Sequence, residues 1–440
     1  MRILSLTAGA AGMYCGSCAR DNALAAELMA QGHDVTLAPV YTPTRTDEPN
    51  VSRDRVLFGG ISVYLQQHLS LFRHTPRFLD RLWDAPAVID ACAGRAVSHD
   101  PRLLGELTIS MLRGQQGTLT KEFDKLLDWL RGEPAPDVIN LPNSLLIALA
   151  SPLAQALKKP VCCTLQGEEL FIHGLRQPYR QQAIDLIRSQ VQQVDRFVAV
   201  SEFCARFMTD FLAIPRHKMA VVPLGINLAG YQRRPPAAAP DDEFRIGYFA
   251  RISPEKGLRE LAEAYIRLRR RTGPSRIRLE AAGFMAAGDR EYLAQVRRVL
   301  EEAGLAMEFS YRGAVDREGK VKFLSSLDVL SVPAPYDEPK GMFLLEAMAC
   351  GVPVVQPRRG AFTEIIEKTG GGVLVEPGNT DALAAALFHL WQDRQTTAAL
   401  GQRAFAGVRA HYSVAQSATR LLEIYEEVLR SYELAGSIKD

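Results

Sequence analysis

Glu338 and Glu346, with seven residues between them in YDEPKGMFLLEAMACGVPVV (336–355), form the pattern in this chain best suited to chemistry. Pro339 and Gly341 cannot continue a regular helix, so Glu338 is expected on a loop, whereas FLLEAMA has the composition of a helix that carries Glu346 in its first turns. The first amides of such a helix lack intrahelical acceptors and sit at the positive end of its dipole, which suits them to phosphate. A carboxylate on either side suits sugar hydroxyls. Upstream, GYFARISPEKGLREL (247–261) puts Arg251 just past a strand and Lys256 just before a helix, spaced so that both cations can reach one diphosphate. Fixed cations and helix amides stabilise a departing phosphate more as its bond to a sugar breaks than before, which lowers the barrier. Paired carboxylates can also serve as acid and nucleophile in glycoside hydrolysis. With two cations beside them, both glutamates read better as binding groups.

Positioning these groups requires rigid strands that end near one another. β-Branched runs alternate with amphipathic stretches through both halves of the chain, the mark of parallel sheets with crossover helices. The runs are RILSLTA, DVTLAPV, DVINLP, PVCCTLQG, RFVAVS and MAVVPLG, then RIGYFAR, IRLEAAG, MEFSYRG, VLSVPAP, PVVQP and GVLVEPG. Leu258, Leu261, Ala262, Tyr265 and Leu268 recur at helical spacing, as do Leu293, Val296 and Leu300. Between the halves, YQRRPPAAAPDDE (231–243) lacks apolar periodicity and reads as a linker. The expected fold class is α/β, with two Rossmann-like, doubly wound parallel-sheet domains, 1–230 and 244–412, facing across a cleft. A final helix over 413–440 is expected to return toward the first domain. Residues 60–135 read as a helical insertion in which Tyr64, Leu65, Leu69, Phe72, Phe78, Leu82 and Trp83 mix with Arg73, His74, Arg77 and Arg81. Helix packing with a solvated basic face accounts for that mixture, an acceptor- or membrane-facing surface being the alternative.

Composition limits the partners. The 440 residues, 47% hydrophobic and 23% charged, suffice for two cores. With 52 basic and 50 acidic residues the net charge is +2, which supplies no global attraction to nucleic acid or an anionic membrane, so any phosphate binding must be local. The most apolar window, VINLPNSLLIALASPLAQAL (138–157), is broken by Pro142, Asn143, Pro152 and Gln155 and does not read as a membrane span. Seven cysteines, an odd number, and a start, MRILSL, that reads as a strand rather than a secretory leader predict a reduced cytoplasmic protein. Peripheral contact with the inner membrane face stays open, and oligomeric state is not legible.

Arg251 with Lys256, Glu338 with Glu346, and the run GGGVLVEPGNTDALAAAL follow one another in the order and approximate spacing of the retaining glycosyltransferases of family 4. The chain resembles that family, whose fold is GT-B, over nearly its whole length and most specifically from Gly247 to Asp381. SEFCARFMTDFLAIPRHKMAVVPLGIN also looks like the family's closing strand and helix of the N-terminal domain. The resemblance implies transfer of a hexosyl group from a nucleoside diphosphate sugar of UDP, GDP or ADP type to a carbohydrate, lipid or small-molecule acceptor, with retention and with no bound cofactor or metal. It makes 1–230 the acceptor side and 244–412 the nucleotide-sugar side, closing around the donor. Arg251 and Lys256 would hold the diphosphate, Glu346 the ribose, and Glu338 the transferred sugar. The amides of Gly341, Met342 and Phe343 would cradle phosphate or sugar, and RGAV around Arg312 and Gly313 would meet the base through its backbone. The glycine-rich first loop, TAGAAGMYCGSCARDN with Gly12 and Gly16, would let substrate approach the backbone.

The chain departs from the family at two positions. Gln166 stands where a histidine that contacts the donor sugar is common, and an amide can exchange hydrogen bonds but not protons. Lys340 stands where an aromatic residue is common, a cation that suits an acidic sugar or solvent. His173 could fold back to serve in place of the missing histidine or remain a packed loop residue. Tyr14, Asp21 and Asn22 are acceptor-side candidates, Asp21 alone among them able to act as a base, against a capping and packing role for all three. Cys15 and Cys18 make a CxxC with no second pair to complete a zinc set, so a small-residue loop is the simpler reading. Two other functions fit the same fold: a GT-B phosphorylase or sugar-nucleotide epimerase, and a nucleotide-sugar-binding protein without turnover.

Overall fold

The computed structural model describes residues 1–9, 15–54, 56–58, 104–233, 243–273 and 275–437. Gly12, Tyr14 and the stretch from Tyr64 to Trp83 lie outside the described residues. The chain divides into two compact units, Met1–Pro223 with Val414–Asp440, and Leu224–Ser413.

In the first unit β1 (Arg2–Thr7), β2 (Asp34–Pro39), β3 (Val138–Leu141), β4 (Val161–Leu165), β5 (Arg196–Ala199) and β6 (Met219–Val221) form a parallel sheet in the order β2-β1-β3-β4-β5-β6. In the second, β7 (Phe244–Phe249), β8 (Ile277–Ala282), β9 (Phe309–Tyr311), β10 (Val329–Leu330), β11 (Val354–Pro357) and β12 (Gly372–Val375) form another in the order β12-β11-β10-β7-β8-β9. Each strand falls on one of the apolar runs of the sequence. Those runs are continuous because helices cover both faces: every residue of β3 and β4 is buried.

The two faces of β4 show how the first unit's core is divided. Neighbouring strand residues point to opposite sides, so Cys162 joins Leu24 and Leu28 with Leu421, Ile424 and Tyr425, while Cys163 joins Phe123, Ile147 and Phe197. The helix Val414–Ser437 thus packs in the first unit beside the helix Gly16–Ala30. In the second unit Leu258, Leu261, Ala262, Tyr265 and Leu268 form the buried stripe of the helix Leu258–Thr272, and Leu293, Val296 and Leu300 that of Arg290–Glu302. Tyr231, in the stretch expected to be a linker, is buried in this unit's core.

Each sheet changes direction at its first strand, between β1 and β3 and between β7 and β10. Connections leave such a switch point in opposite directions and open a crevice at the carboxyl ends of the strands, where doubly wound sheets bind ligands. The candidate residues gather there. Thr7 ends β1, Pro142 follows β3 and Gln166 follows β4, while Arg251 and Lys256 follow β7 and Glu338 follows β10. No described helix is long and apolar enough to cross a membrane.

Candidate functional site

In the second unit, a short 3-10 turn, Pro254–Lys256, delivers Lys256 to the start of the helix Leu258–Thr272. Its ammonium donates to the Glu338 carboxylate and, at 2.6 Å, to Tyr336 Oη, whose own hydroxyl donates to Glu338. It also lies 4.9 Å from the Tyr336 ring centroid and 5.8 Å from that of Phe343. Glu338 is 3% exposed. Burial by itself would raise its carboxyl, but the charges of Lys256 and Lys340, with hydrogen bonds from Lys256 and Tyr336, outweigh burial and lower it to about 2.

Two glycines shape this loop. Ala361 N donates to Glu338 O at 2.8 Å, and Gly360, at φ +53, allows the approach because a Cβ there would sit 2.4 Å from the same oxygen. Gly341, at φ +68, caps the helix Met342–Ala349, and a Cβ there would meet Ile365 Cδ1 at 2.9 Å. Beyond it the amides of Met342 and Phe343 open the first turn, where no intrahelical acceptor exists. Lys256 therefore brings its charge to a helix N-terminus already suited to an anion.

Glu346, on that helix, is 7% exposed and accepts on Oε1 from Lys320 Nζ at 2.6 Å and Tyr231 Oη at 3.3 Å. Lys320 is itself buried, and the Arg317 guanidinium lies 5.0 Å from the Tyr231 ring centroid. Neither partner of Glu346 was foreseen. The available signal was spacing, since Lys320 shares the buried face of the helix Arg317–Ser325 with Phe323 and Leu324. Arg251 forms an ion pair with Glu255, and its Nε lies 3.4 Å from Ser253 Oγ. Against the cost of burial, the Arg251 charge lowers the Glu255 carboxyl. The structure thus brings Lys256 to Glu338 and gives Arg251 a separate carboxylate. Gly313, at φ +78, accepts from Gly283 N at 2.9 Å, and Arg312 pairs with Glu280 at 3.1 Å.

The first unit collects a different set. Gln166 is 4% exposed, and its Nε2 donates to Pro142 O at 2.9 Å and to Asp21 Oδ1 at 3.3 Å. Asp21 also accepts from Thr7 Oγ1 at 3.0 Å and from Arg20 Nη1 at 3.1 Å. Burial raises its carboxyl, and the Arg20 charge with the bonds from Thr7, Arg20 and Gln166 offsets only part of that. Glu168 fixes the turn, accepting from Gln166 N, Ser144 N and Ser144 Oγ, each at 2.9 Å. Asn22 spends its amide on Pro49 O and Val51 N, a packing role. Gly16 opens the helix Gly16–Ala30 with clear space where a Cβ would be. Cys15 and Cys18 form no disulfide; a hydrogen bond with Cys15, then burial, pushes the Cys18 thiol well up. No group of three metal-binding side chains occurs among the described residues. His173 packs edge-on against Phe211 at 5.2 Å and Phe207 at 6.4 Å, and burial followed by the Arg180 charge lowers its imidazole.

Residues 232–406 match the family Glycosyl transferases group 1, and residues 111–229 match Glycosyltransferase Family 4. The D-inositol 3-phosphate glycosyltransferase of Nocardia farcinica is 28% identical over 54% of this chain and 54% of its own length. The phosphatidyl-myo-inositol mannosyltransferase of Mycolicibacterium smegmatis is 27% identical over 66% of this chain and 69% of its own. The match to the first thus spans about half of that relative. Among solved structures, sucrose-phosphate synthase from Thermosynechococcus elongatus superposes with a TM-score of 0.71 at 18% identity, covering 98% of this chain and all of that one. HepE of Anabaena, in complex with UDP and glucose, gives 0.67 at 18% identity over 97% of this chain and all of its own. At these identities the likeness is one of fold.

Proposed function

Since the chain belongs to the group 1, family 4 glycosyltransferases, we propose that it moves a hexosyl group from a nucleoside diphosphate sugar to an acceptor hydroxyl, with retention and without a metal ion. The observation that carries this reading is the meeting of Lys256, Glu338 and the first turn of Met342–Ala349 at the β7/β10 switch point. A fixed cation and unsatisfied amides there suit a leaving diphosphate, and a carboxylate beside them suits the sugar it carries. Arg251 exchanges Glu255 for a phosphate oxygen and supplies the second positive charge. Glu346 keeps Lys320 and Tyr231 on Oε1 and offers Oε2 to the ribose. Gly313 and its neighbours line the base, Gln166 meets the sugar, and Gly16 lies on the acceptor side.

Glu338, lowered to about 2, stays ionised at neutral pH. It therefore serves as an acceptor for sugar hydroxyls and not as a general acid, which would need a raised carboxyl. In the transfer, the bond from the sugar C1 to the diphosphate oxygen breaks and its electron pair leaves with the phosphate. Positive charge develops on the sugar, the acceptor oxygen attacks from the same face, and its proton passes to the departing phosphate.

Calorimetric titration with UDP-glucose, UDP-galactose, UDP-N-acetylglucosamine, GDP-mannose and ADP-glucose tests the reading; one of them binds, and binding by none rejects it. Glu346→Ala weakens nucleotide binding and turnover together, by about tenfold for one lost charged hydrogen bond. Unchanged donor affinity in that variant would remove Glu346 from the site.

A further inference from the structure

Glu338 sits in the irregular loop 331–341, between β10 and the helix Met342–Ala349. Pro333, Pro335 and Pro339 carry no N–H, so the loop supplies few backbone donors of its own and its carbonyls must find them elsewhere. The turn after β11 provides them. Arg359 Nη1 donates to Pro335 O, and Ala361 N donates to Glu338 O at 2.8 Å. Arg359 is the N-cap of the helix Gly360–Thr369, so Ala361 N lies in a first turn without an intrahelical acceptor, and Glu338 O satisfies it. Gly360 leaves room for this approach, since a Cβ there would lie 2.6 Å from Glu338 N and 3.0 Å from Asp337 C. Arg359 Nε makes no hydrogen bond among the described residues but forms an ion pair with Asp337 Oδ1 at 3.6 Å. With side chains 25% and 55% exposed, that pair adds little to stability by itself. Its effect is on the loop: with the backbone gripped at Pro335 and Glu338, the Tyr336 and Glu338 side chains meet Lys256.

We propose that Arg359 is a positioning residue for Glu338: it grips the loop at Pro335 and Asp337 and so sets the Glu338 carboxylate in place for the transferred sugar. The inference rests on the nucleotide-sugar reading above. Every residue it uses belongs to the second unit. A binding carboxylate works only where the groups behind it hold it in the productive geometry, and here one guanidinium supplies both a donor for a carbonyl and a charge for a carboxylate. Arg359 thus acts through the loop and not on the ligand.

The test measures, by calorimetry, how much more tightly the best panel sugar nucleotide binds than its own free nucleotide. Arg359→Ala loses about tenfold of that gain, the scale of one charged hydrogen bond, with the free nucleotide's affinity unchanged. Glu338→Ala loses at least as much, and adding Arg359→Ala to it costs nothing further, because the one residue acts through the other. Arg359→Lys, whose ammonium can meet the same carbonyl and carboxylate, keeps most of the gain. Should Arg359→Ala fail to fold, Arg359→Gln, which shortens the reach and drops the charge, takes its place in the same cycle. The inference is overturned if the variant loses stability in urea but keeps the wild-type gain, which makes Arg359 structural only. It is overturned too if free-nucleotide affinity falls in parallel or the losses at 359 and 338 multiply, since Arg359 then meets the ligand itself. Arg359→Lys losing as much as Arg359→Ala has the same consequence. A protein that binds nucleotide with no gain from any sugar also overturns it and leaves the nucleotide site standing. A protein that binds no nucleotide fails at the earlier reading.

Discussion

Asp21 in the first unit and Glu338 in the second are both buried carboxylates at the carboxyl ends of like parallel sheets, yet their protonation is pushed in opposite directions. Burial raises each of them, so the difference lies in the company each keeps. Glu338 has the charges of Lys256 and Lys340 and is lowered to about 2. Asp21 has one arginine, and its other partners, Thr7 and Gln166, are neutral. Neutral donors orient a carboxylate without supplying the charge that would offset its desolvation. The second unit is therefore arranged to hold charge and the first to hold geometry, as expected if the second meets a diphosphate and the first meets hydroxyls.

Removing the cation from the charge-holding side is the strongest way to break this contrast. Lys256→Met leaves Glu338 buried without its closest counter-charge, which costs about 3–5 kcal/mol in urea unfolding. Turnover falls by about 10²–10³ if Lys256 also stabilises the leaving phosphate. A variant as stable as the wild type would show that Glu338 does not depend on Lys256.

Acid tests the contrast from the proton side. The ordinary carboxyl value for Glu338 is 4.5 and its folded value is about 2, so its ionised form is favoured by folding. The stabilisation is complete above the ordinary value and disappears as pH falls through about 2. Unfolding curves of the wild type and Glu338→Gln should differ by about 3 kcal/mol near neutrality and converge at the acid end. Asp21 runs the other way: its raised carboxyl contributes below the ordinary carboxylate value and loses that contribution as pH rises through its folded value. A gap between wild type and Glu338→Gln that is independent of pH would refute the assignment of charge.

Why one side was readable in the sequence and the other only in part follows from distance along the chain. The strands of the two described sheets were legible because strands covered on both faces become unbroken apolar runs. The places of Lys256, Glu338, Gly341 and Glu346 on turns and at a helix start were legible because turn residues lie close beside them. Lys320 was not, since a lysine in REGKVKFLS reads as a solvated residue until its place beside Phe323 and Leu324 is seen. Tyr231 was hidden by the polar composition around it, and the Asp21–Gln166 contact joins residues 145 positions apart. Glu255 sat in plain view between the two cations, but composition does not say that it pairs with Arg251.

A smaller effect is expected at the turn that opens the helix carrying Glu346. Gly341→Ala must hold an L residue at positive φ, at about 1–2 kcal/mol, and must also move Ile365. Chemical denaturation should show that loss, and nucleotide affinity should fall with it as the first-turn amides shift. Loss of stability with full affinity would mean that those amides do not meet the ligand.

The smallest stability effect separates holding charge from using it. The Arg251 and Glu255 side chains are 39% and 31% exposed, so solvent screens their ion pair and Arg251→Ala should cost less than about 1 kcal/mol in unfolding. Nucleotide binding should nevertheless weaken by about tenfold, because a charge-assisted bond to phosphate is lost. Glu255→Gln removes the competing carboxylate and should tighten binding by about two- to fivefold, with a shallower dependence on salt. The two variants thus move affinity in opposite directions while leaving the fold nearly untouched. If both weaken nucleotide binding equally, Glu255 orients Arg251 for the phosphate and the two form one unit. If neither changes it, Arg251 belongs to the surface, and Lys256 with the helix amides carries the diphosphate alone.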